Sequence, residues 1–103
     1  MNAHIDIPPD EIAAFCKRWQ ITELALFGSV LRDDFGPDSD VDVLVQFGEE
    51  ARHTLFELDD MELELEEIFG REVDLVSRRG VEASRNYIRR KAILNSAQVI
   101  YGS

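Results

Sequence analysis

The nine residues SDVDVLVQF, positions 39–47, constrain the fold of this chain more than any other stretch. Alternation of Val41, Val43 and Val45 marks a β-strand with one buried face. Asp40 precedes these valines and Asp42 sits between the first two, although Asp is a poor strand former and an unpaired buried carboxylate is costly. Successive strand side chains point to opposite faces. The two acids therefore project together, about 6–7 Å apart at ~3.3 Å per residue, and Val41, Val43, Val45 and Phe47 share the other face. Leu44 follows the acids on their own face, so that face is not solvent along its whole length. Two readings stand. One is an acidic, solvated strand start. The other is a pair of oxygen ligands for a hard cation, with Mg2+ the natural candidate because it binds few carboxylates and completes its shell with substrate phosphates.

The flanking sequence supplies a framework. IPPDEIAAFCKRWQ reads as a helix: prolines suit its first turn, and Ile12, Phe15, Cys16 and Trp19 fall on one apolar face, with Cys16 a small core residue there. TELALFG is a short buried strand ending at Gly28, SVLRDDF a brief helix, and GPDS a turn. Beyond the polar loop GEEARH, TLFELDDMELELEEIFG is a helix. Thr54 and Glu57 have capping-box spacing, Gly70 suits the stop, and Leu55, Leu58, Met61, Leu65 and Phe69 form the apolar stripe. The seven acids of this helix read as a solvated face. REVDLVS is a third strand. VEASRNYIRRKAILN is a second long helix anchored by Val81, by Tyr87 or Ile88, and by Ile93 or Leu94. AQVIY is a closing strand. His4 and His53 are isolated and read as surface residues.

Helices alternating with strands predict an α/β (α+β) fold, a single domain over residues 1–103 with a small mixed sheet of about four strands flanked by helices. Too few residues separate the first two strands for a full parallel crossover, so the sheet is expected to be mixed.

Charge and composition narrow the function classes. No apolar run is long enough to cross a membrane, and MNAHIDIPPDEIAAF has neither the basic nor the apolar region of a signal peptide. A lone cysteine makes no internal disulfide, so a cytoplasmic protein is expected. The formal net charge is −10, unevenly spread: residues 1–77 carry 20 acids against 5 bases, and residues 78–103 carry one acid against 6 bases. Such acidity weighs against direct nucleic-acid binding, which depends on neutralising phosphates. It leaves room for a phosphate ligand that arrives with metal ions. The basic cluster Arg78, Arg79, Arg85, Arg89, Arg90 and Lys91 reads as a partner-docking surface and a counterweight to the acids of the 54–69 helix, with a role in holding a nucleotide as the alternative.

Two further features bear on chemistry. Asp74 lies within the strand EVDLV. If that strand neighbours residues 40–47, three carboxylates meet on one sheet, an arrangement suited to two-metal displacement at phosphorus. Gly28-Ser29 ends the first strand. Glycine admits a ligand close to the backbone, and Ser29 Oγ is placed either to donate to a phosphate oxygen or to cap the short helix.

Taken together, LFGSVLRDDFGPDSDVDVLV resembles the Gly-Ser and Asp-x-Asp signature of the DNA polymerase β-like nucleotidyltransferases. The chain as a whole looks like the minimal nucleotidyltransferases (MNT), small prokaryotic proteins encoded beside HEPN-domain partners. The resemblance implies a small mixed sheet flanked by helices, and transfer of a nucleoside monophosphate from a triphosphate to a hydroxyl with two Mg2+ ions. It implies that Gly28 and Ser29 hold the triphosphate and that Asp40 and Asp42 bind the metals. Asp74 is then the third carboxylate, on the attacking side. Many relatives read GS-x-A-R-G; here Arg32 keeps the basic place, as a phosphate contact or a plain surface residue, and Asp33 stands where the glycine would be. The resemblance further implies an antitoxin of a type VII (HEPN/MNT) toxin–antitoxin system, moving AMP from ATP to a hydroxyl, a tyrosine, of a HEPN-domain toxin with which it forms a hetero-oligomer. With no second domain expected to hold a small acceptor, a macromolecular one is favoured. Two alternatives remain: a non-catalytic antitoxin that masks its partner by binding, and a free-standing transferase acting on RNA or a small molecule.

Overall fold

A computed structural model of the chain describes Ile5, residues 7–31, Gly36 and residues 39–102. Helix α1 (Pro9–Arg18) leads into β1 (Ile21–Phe27), a single 3-10 turn (Gly28–Leu31) and β2 (Val41–Phe47). Then come α2 (Leu55–Phe69), β3 (Val73–Ser77), a short α3 (Arg78–Glu82), α4 (Tyr87–Ser96) and β4 (Gln98–Gly102). The strands form one sheet in the order β3-β2-β1-β4. β1 runs antiparallel to β2 and β4, whereas β2 and β3 are parallel with α2 as their crossover. The mixed sheet flanked by helices matches the expectation from sequence. The remainder of the SVLRDDF segment, residues 32–35, lies outside the described residues, as does His4.

Alternation along the strands divides the core. Val41, Val43 and Val45 of β2, with Leu24 and Leu26 of β1, face α1 and α2, where they pack against Phe15, Cys16, Met61 and Leu65. The opposite face carries Ala25, Phe27 and Leu44 under Val81 of α3 and Ile93 of α4. The first cluster is the larger, and burying each of its big side chains stabilises the fold by about 1.5–3 kcal/mol relative to exposure. Burial also pushes the Cys16 thiol up to about 12, so it stays protonated and serves packing rather than nucleophilic chemistry.

Helix α2 forms with the caps its sequence advertises. Thr54 and Glu57 make a complete capping box, and Gly70 terminates the helix at φ 69°. Two expectations for it fail. Leu55 does not join the buried stripe; it is exposed, with Phe56 and Leu63. Nor are the acids simply a solvated face. β3 is an edge strand, and its outward N–H groups find acceptors on α2: Val73 N–H donates to Glu66 Oε2 at 3.1 Å and Leu75 N–H to Glu62 Oε2 at 3.2 Å. Glu64 accepts from Trp19 Nε1 at 2.7 Å and pairs with Arg18, tying α2 to α1. The glutamates close an edge that would otherwise offer unpaired donors.

The long helix expected over VEASRNYIRRKAILN is two helices. Ser84 Oγ accepts from Asn86 N–H at 3.2 Å, and Asn86 Oδ1 caps the new helix by accepting from Arg89 N–H at 3.1 Å. Short polar side chains here offer the backbone an alternative to helical bonds. Val81 and Ile93 are buried anchors, but Tyr87 and Ile88 are exposed. Nor does the basic cluster answer the acids of α2 in the ion pairs among the described residues: Arg78 pairs with Glu23 at 3.6 Å and Glu82 at 3.8 Å. His53 is no surface residue either. Its side chain is 11% exposed and is wedged against Phe47 and Trp19.

Candidate active site

The register of three strands builds the site. Phe27, the last residue of β1, is paired with Asp42, and Asp42 is paired in turn with Asp74. Side chains in register on neighbouring strands share a face. Asp42 and Asp74 therefore lie side by side, on the face that α3 and α4 cover further along, where Leu44 and Val76 occupy the next same-face positions. Asp40 falls just before β2 begins. Asp42 is half-buried, and Asp40 and Asp74 are exposed.

Gly28 is required at its position twice over. Its φ is +75°, the left-handed region that side-chain-bearing residues rarely adopt, and a Cβ there would collide with Asp42 Oδ2. The end of β1 thus lies directly against the central carboxylate, a contact that depends on register and is not visible in linear sequence. Ser29 is not an N-cap: it lies inside the 3-10 turn that begins at Gly28, and its Oγ donates to the Asp40 carbonyl oxygen at 3.4 Å. That contact is long for an O–H···O bond, so a phosphate oxygen can compete for the hydroxyl.

The approach to Asp40 is fixed from the β3 side. Arg71 Nη1 donates to the Gly36 carbonyl at 2.9 Å, Gly36 N–H donates to Ser39 Oγ at 3.1 Å, and Val41 N–H donates to the Glu72 carbonyl at 2.9 Å. Arg71, which the sequence reading did not single out, ties the foot of the strand that carries Asp74 to Gly36. Arg32 and Asp33 lie outside the described residues.

The structure brings Asp42 and Asp74 together and sets Asp40 at the edge of the same row. The three carboxylates do not converge as placed: among the described residues, no three acid, histidine or cysteine side chains are gathered to hold a metal ion. The donor chemistry nevertheless fits Mg2+, a hard cation that takes one or two carboxylates and leaves its other positions to water and phosphate oxygens. Two cavities lie away from this row. One, of about 260 Å³, is on the same sheet face, lined by Val76 and Ser77 of β3 with α3 and α4. The other, of about 810 Å³, is at the far ends of β2 and β3, beside Phe47, Arg52 and His53.

Residues 11–100 match the family model described as the nucleotidyltransferase domain. The protein adenylyltransferase MntA of Thermococcus cleftensis is 36% identical over 67 residues, covering 65% of this chain and 66% of the relative. A solved structure described as a minimal nucleotidyltransferase superposes with a TM-score of 0.66 at 33% identity, covering 87% of this chain and 86% of that one. A chain in the complex of a tri-AMPylated HEPN toxin of Shewanella oneidensis with MNT antitoxin gives a TM-score of 0.63, covering 92% of this chain and 70% of that one; at 18% identity that likeness is one of fold. The present chain spans 59% to 66% of the length of the curated relatives it matches. No helix among the described residues is long and apolar enough to cross a membrane.

Proposed function

Because the chain belongs to the nucleotidyltransferase domain family, and within it to the minimal nucleotidyltransferases, we propose that it is the antitoxin of a type VII toxin–antitoxin pair, acting by transferring AMP from ATP to a tyrosine hydroxyl of a HEPN-domain toxin. The observation that carries this reading is the row Gly28, Asp42, Asp74: a glycine packed on one carboxylate that is register-paired with another. The name of one relative, a protein adenylyltransferase, supports AMP as the group moved, and a fold neighbour seen in complex with an AMPylated HEPN toxin is consistent with such a partner.

In this reading the acceptor oxygen forms a bond to the α-phosphorus while the bond to the bridging oxygen breaks, and pyrophosphate leaves with the electron pair. Asp74, exposed at the β3 end of the row, accepts the hydroxyl proton. Ser29 Oγ and the backbone of the Gly28 turn orient the outer phosphates. Asp40 and Asp42, with Asp74, would hold Mg2+, which when bound would supply the positive charge that an all-carboxylate site needs to accept a triphosphate. Held geometry and fixed charge account for catalysis of this kind.

The test is label transfer from α-labelled ATP to the toxin encoded beside this chain, with Mg2+ present. Asp42→Ala is expected to lower the rate by about a hundredfold or more. Undiminished transfer by that variant, or none by the intact protein, sinks the reading. A second reading, neutralisation by contact alone, is favoured by the exposed Leu55, Phe56 and Leu63 on acidic α2. Under it, the Asp40→Ala/Asp42→Ala double variant still protects cells from the toxin.

A further inference from the structure

The structure divides the basic cluster read from the sequence. Arg89 and Arg90 stand beside the cavity of about 260 Å³, whereas Arg78 and Arg79 line the larger one, of about 810 Å³, together with Arg52 from the loop before α2. We propose that this larger cavity is a second anion site, separate from the row of carboxylates, that takes a small phosphorylated molecule through its arginines and without a metal ion. The proposal does not depend on the transfer reaction above.

Topology places an opening here. β2 and β3 are parallel, and both run from the carboxylate row toward this cavity. β2 leads into α2, which covers the sheet face of Val41, Val43 and Val45; β3 leads into α3, which covers the face of Leu44. The chain thus leaves two neighbouring parallel strands toward opposite faces, and a crevice stays open between the departures. Crevices of this kind, outside the carboxyl ends of parallel strands, are where open α/β sheets bind ligands. Asp40, Asp42 and Asp74 lie at the amino ends of the same two strands. From Asp42 to Phe47 the strand covers about 16 Å at ~3.3 Å per residue, which keeps the two ends apart.

Size and charge decide the occupant. Small-molecule sites span about 300–1,000 Å³, and this cavity falls within that range. A chain with a formal net charge of −10 brings three of its 11 bases to this one crevice. Two acids, Glu49 and Glu82, also line it, so the arginines outnumber them. None of the three guanidinium groups is used up. Arg79 is exposed and makes no hydrogen bond or ion pair among the described residues. Arg78 meets Glu23 and Glu82 at 3.6 and 3.8 Å, beyond hydrogen-bonding distance. Arg52 is braced through Nη1, which donates to the Glu49 carbonyl at 2.9 Å and the Ala51 carbonyl at 3.1 Å. Its fork is held in place with donors to spare. Planar guanidinium forks match phosphate oxygens two at a time, and such charge-assisted bonds are the strong ones. The carboxylate row repels an anion that arrives without a metal ion, so the two ends of the strands differ in what they require.

The experiment is methyl NMR on the intact chain in EDTA, titrated with pyrophosphate as the probe and with adenosine as an uncharged control. Pyrophosphate is expected to shift the Ala51 and Leu58 methyl signals saturably and to leave those of Val81 and Ile93, beside the smaller cavity, in place. No shift, or shifts spread equally over both sets, would overturn the proposal. So would adenosine moving Ala51 and Leu58 as far as pyrophosphate does. Arg79→Glu changes an exposed residue with no hydrogen bond or ion pair to lose. It is expected to raise the pyrophosphate Kd about tenfold or more, and Arg79→Lys to restore part of the loss; an unchanged Kd in Arg79→Glu counts against the site. Arg79→Glu is also expected to leave Mg-dependent label transfer from ATP unchanged. A matching loss of transfer would put Arg79 in the path of the substrate and overturn the separation of the two ends.

Discussion

On one face of the sheet, α1 and α2 enclose Phe15, Leu24, Leu26, Met61 and Leu65 without exposure; on the other, α3 and α4 cover Ala25, Phe27 and Leu44 and leave the row of carboxylates open. Both faces belong to the same strands, and adjacent residues serve opposite ends: Val41 and Val43 fill the closed side while Asp42 between them stands on the open one. The difference teaches how a small domain tolerates an acidic site. Charge and openness oppose stability, so apolar burial is concentrated on the face away from the carboxylates. The partly covered face keeps only enough packing to hold the site row in register.

The comparison is broken most directly by removing one anchor from each face. Phe15→Ala is expected to cost about 3–5 kcal/mol, and Ile93→Ala nearer 2 kcal/mol, because the thinner face can relax around the loss. Against the 5–15 kcal/mol typical of whole domains, the first leaves little margin. Urea unfolding midpoints measure both. Equal costs, or a larger one for Ile93→Ala, would mean that the open face carries as much of the fold as the closed one.

Gly28→Ala tests where the two functions meet. Its positive φ and the collision with Asp42 predict a stability loss of about 1–2 kcal/mol. Because the intruding methyl displaces the central carboxylate, the transfer rate is expected to fall far more steeply than stability does. Unfolding curves and initial rates on the same samples separate the two effects. A variant that is destabilised yet fully active would show that the close approach serves the fold alone.

Much of the closed face was legible in the sequence and much of the open face was not. Helix spacing of Ile12, Phe15 and Cys16, the Thr54–Glu57 cap and the stop at Gly70 are local signals, readable within one or two turns of chain. Alternation also put Asp40 and Asp42 on one side of a strand. What they would stand beside depended on register: that Asp42 pairs with Asp74, and that Gly28 presses on Asp42, are facts of strands distant in sequence. The α2 glutamates misled for a related reason. In so acidic a chain, acid-x-acid spacing on a helix carries almost no information, and only the position of the β3 edge shows that Glu62 and Glu66 have donors to meet. Asn86 lay inside a helical pattern, where a side-chain cap outweighed the periodicity.

Those glutamates give the next smaller effect. Glu66→Ala removes the acceptor for the Val73 N–H and is expected to cost about 1 kcal/mol. It should also speed concentration-dependent association, because an uncovered edge strand templates pairing with another chain. Light scattering alongside urea unfolding checks both. No change in either would return the acids of α2 to a solvated face and leave the edge of β3 protected by something else.

The smallest effect reports on the seam between α1 and α2. Glu57 Oε1 accepts from Thr54 N–H at 3.2 Å, while its Oε2 faces His53 Nδ1 at 3.2 Å; His53 Nε2 in turn meets the Trp19 carbonyl at 2.8 Å. Both ring nitrogens of His53 thus face acceptors. The Thr54 backbone N–H first, and His53 second, hold the Glu57 carboxyl below its ordinary 4.5. A lowered folded pKa means the charged form is favoured by folding. The contribution is fully present above 4.5 and is lost as pH falls through the lowered folded value. Glu57→Gln keeps the capping box but cannot titrate. Melting temperatures followed from about pH 6 to about pH 3 should show the intact chain losing ground to Glu57→Gln only in the acid part of that range. Because Glu57 is only half-buried, salt should shrink the difference. A gap that is constant with pH would mean that the seam is held by the rings of Trp19, Phe47 and His53, with the carboxylate contributing shape rather than charge.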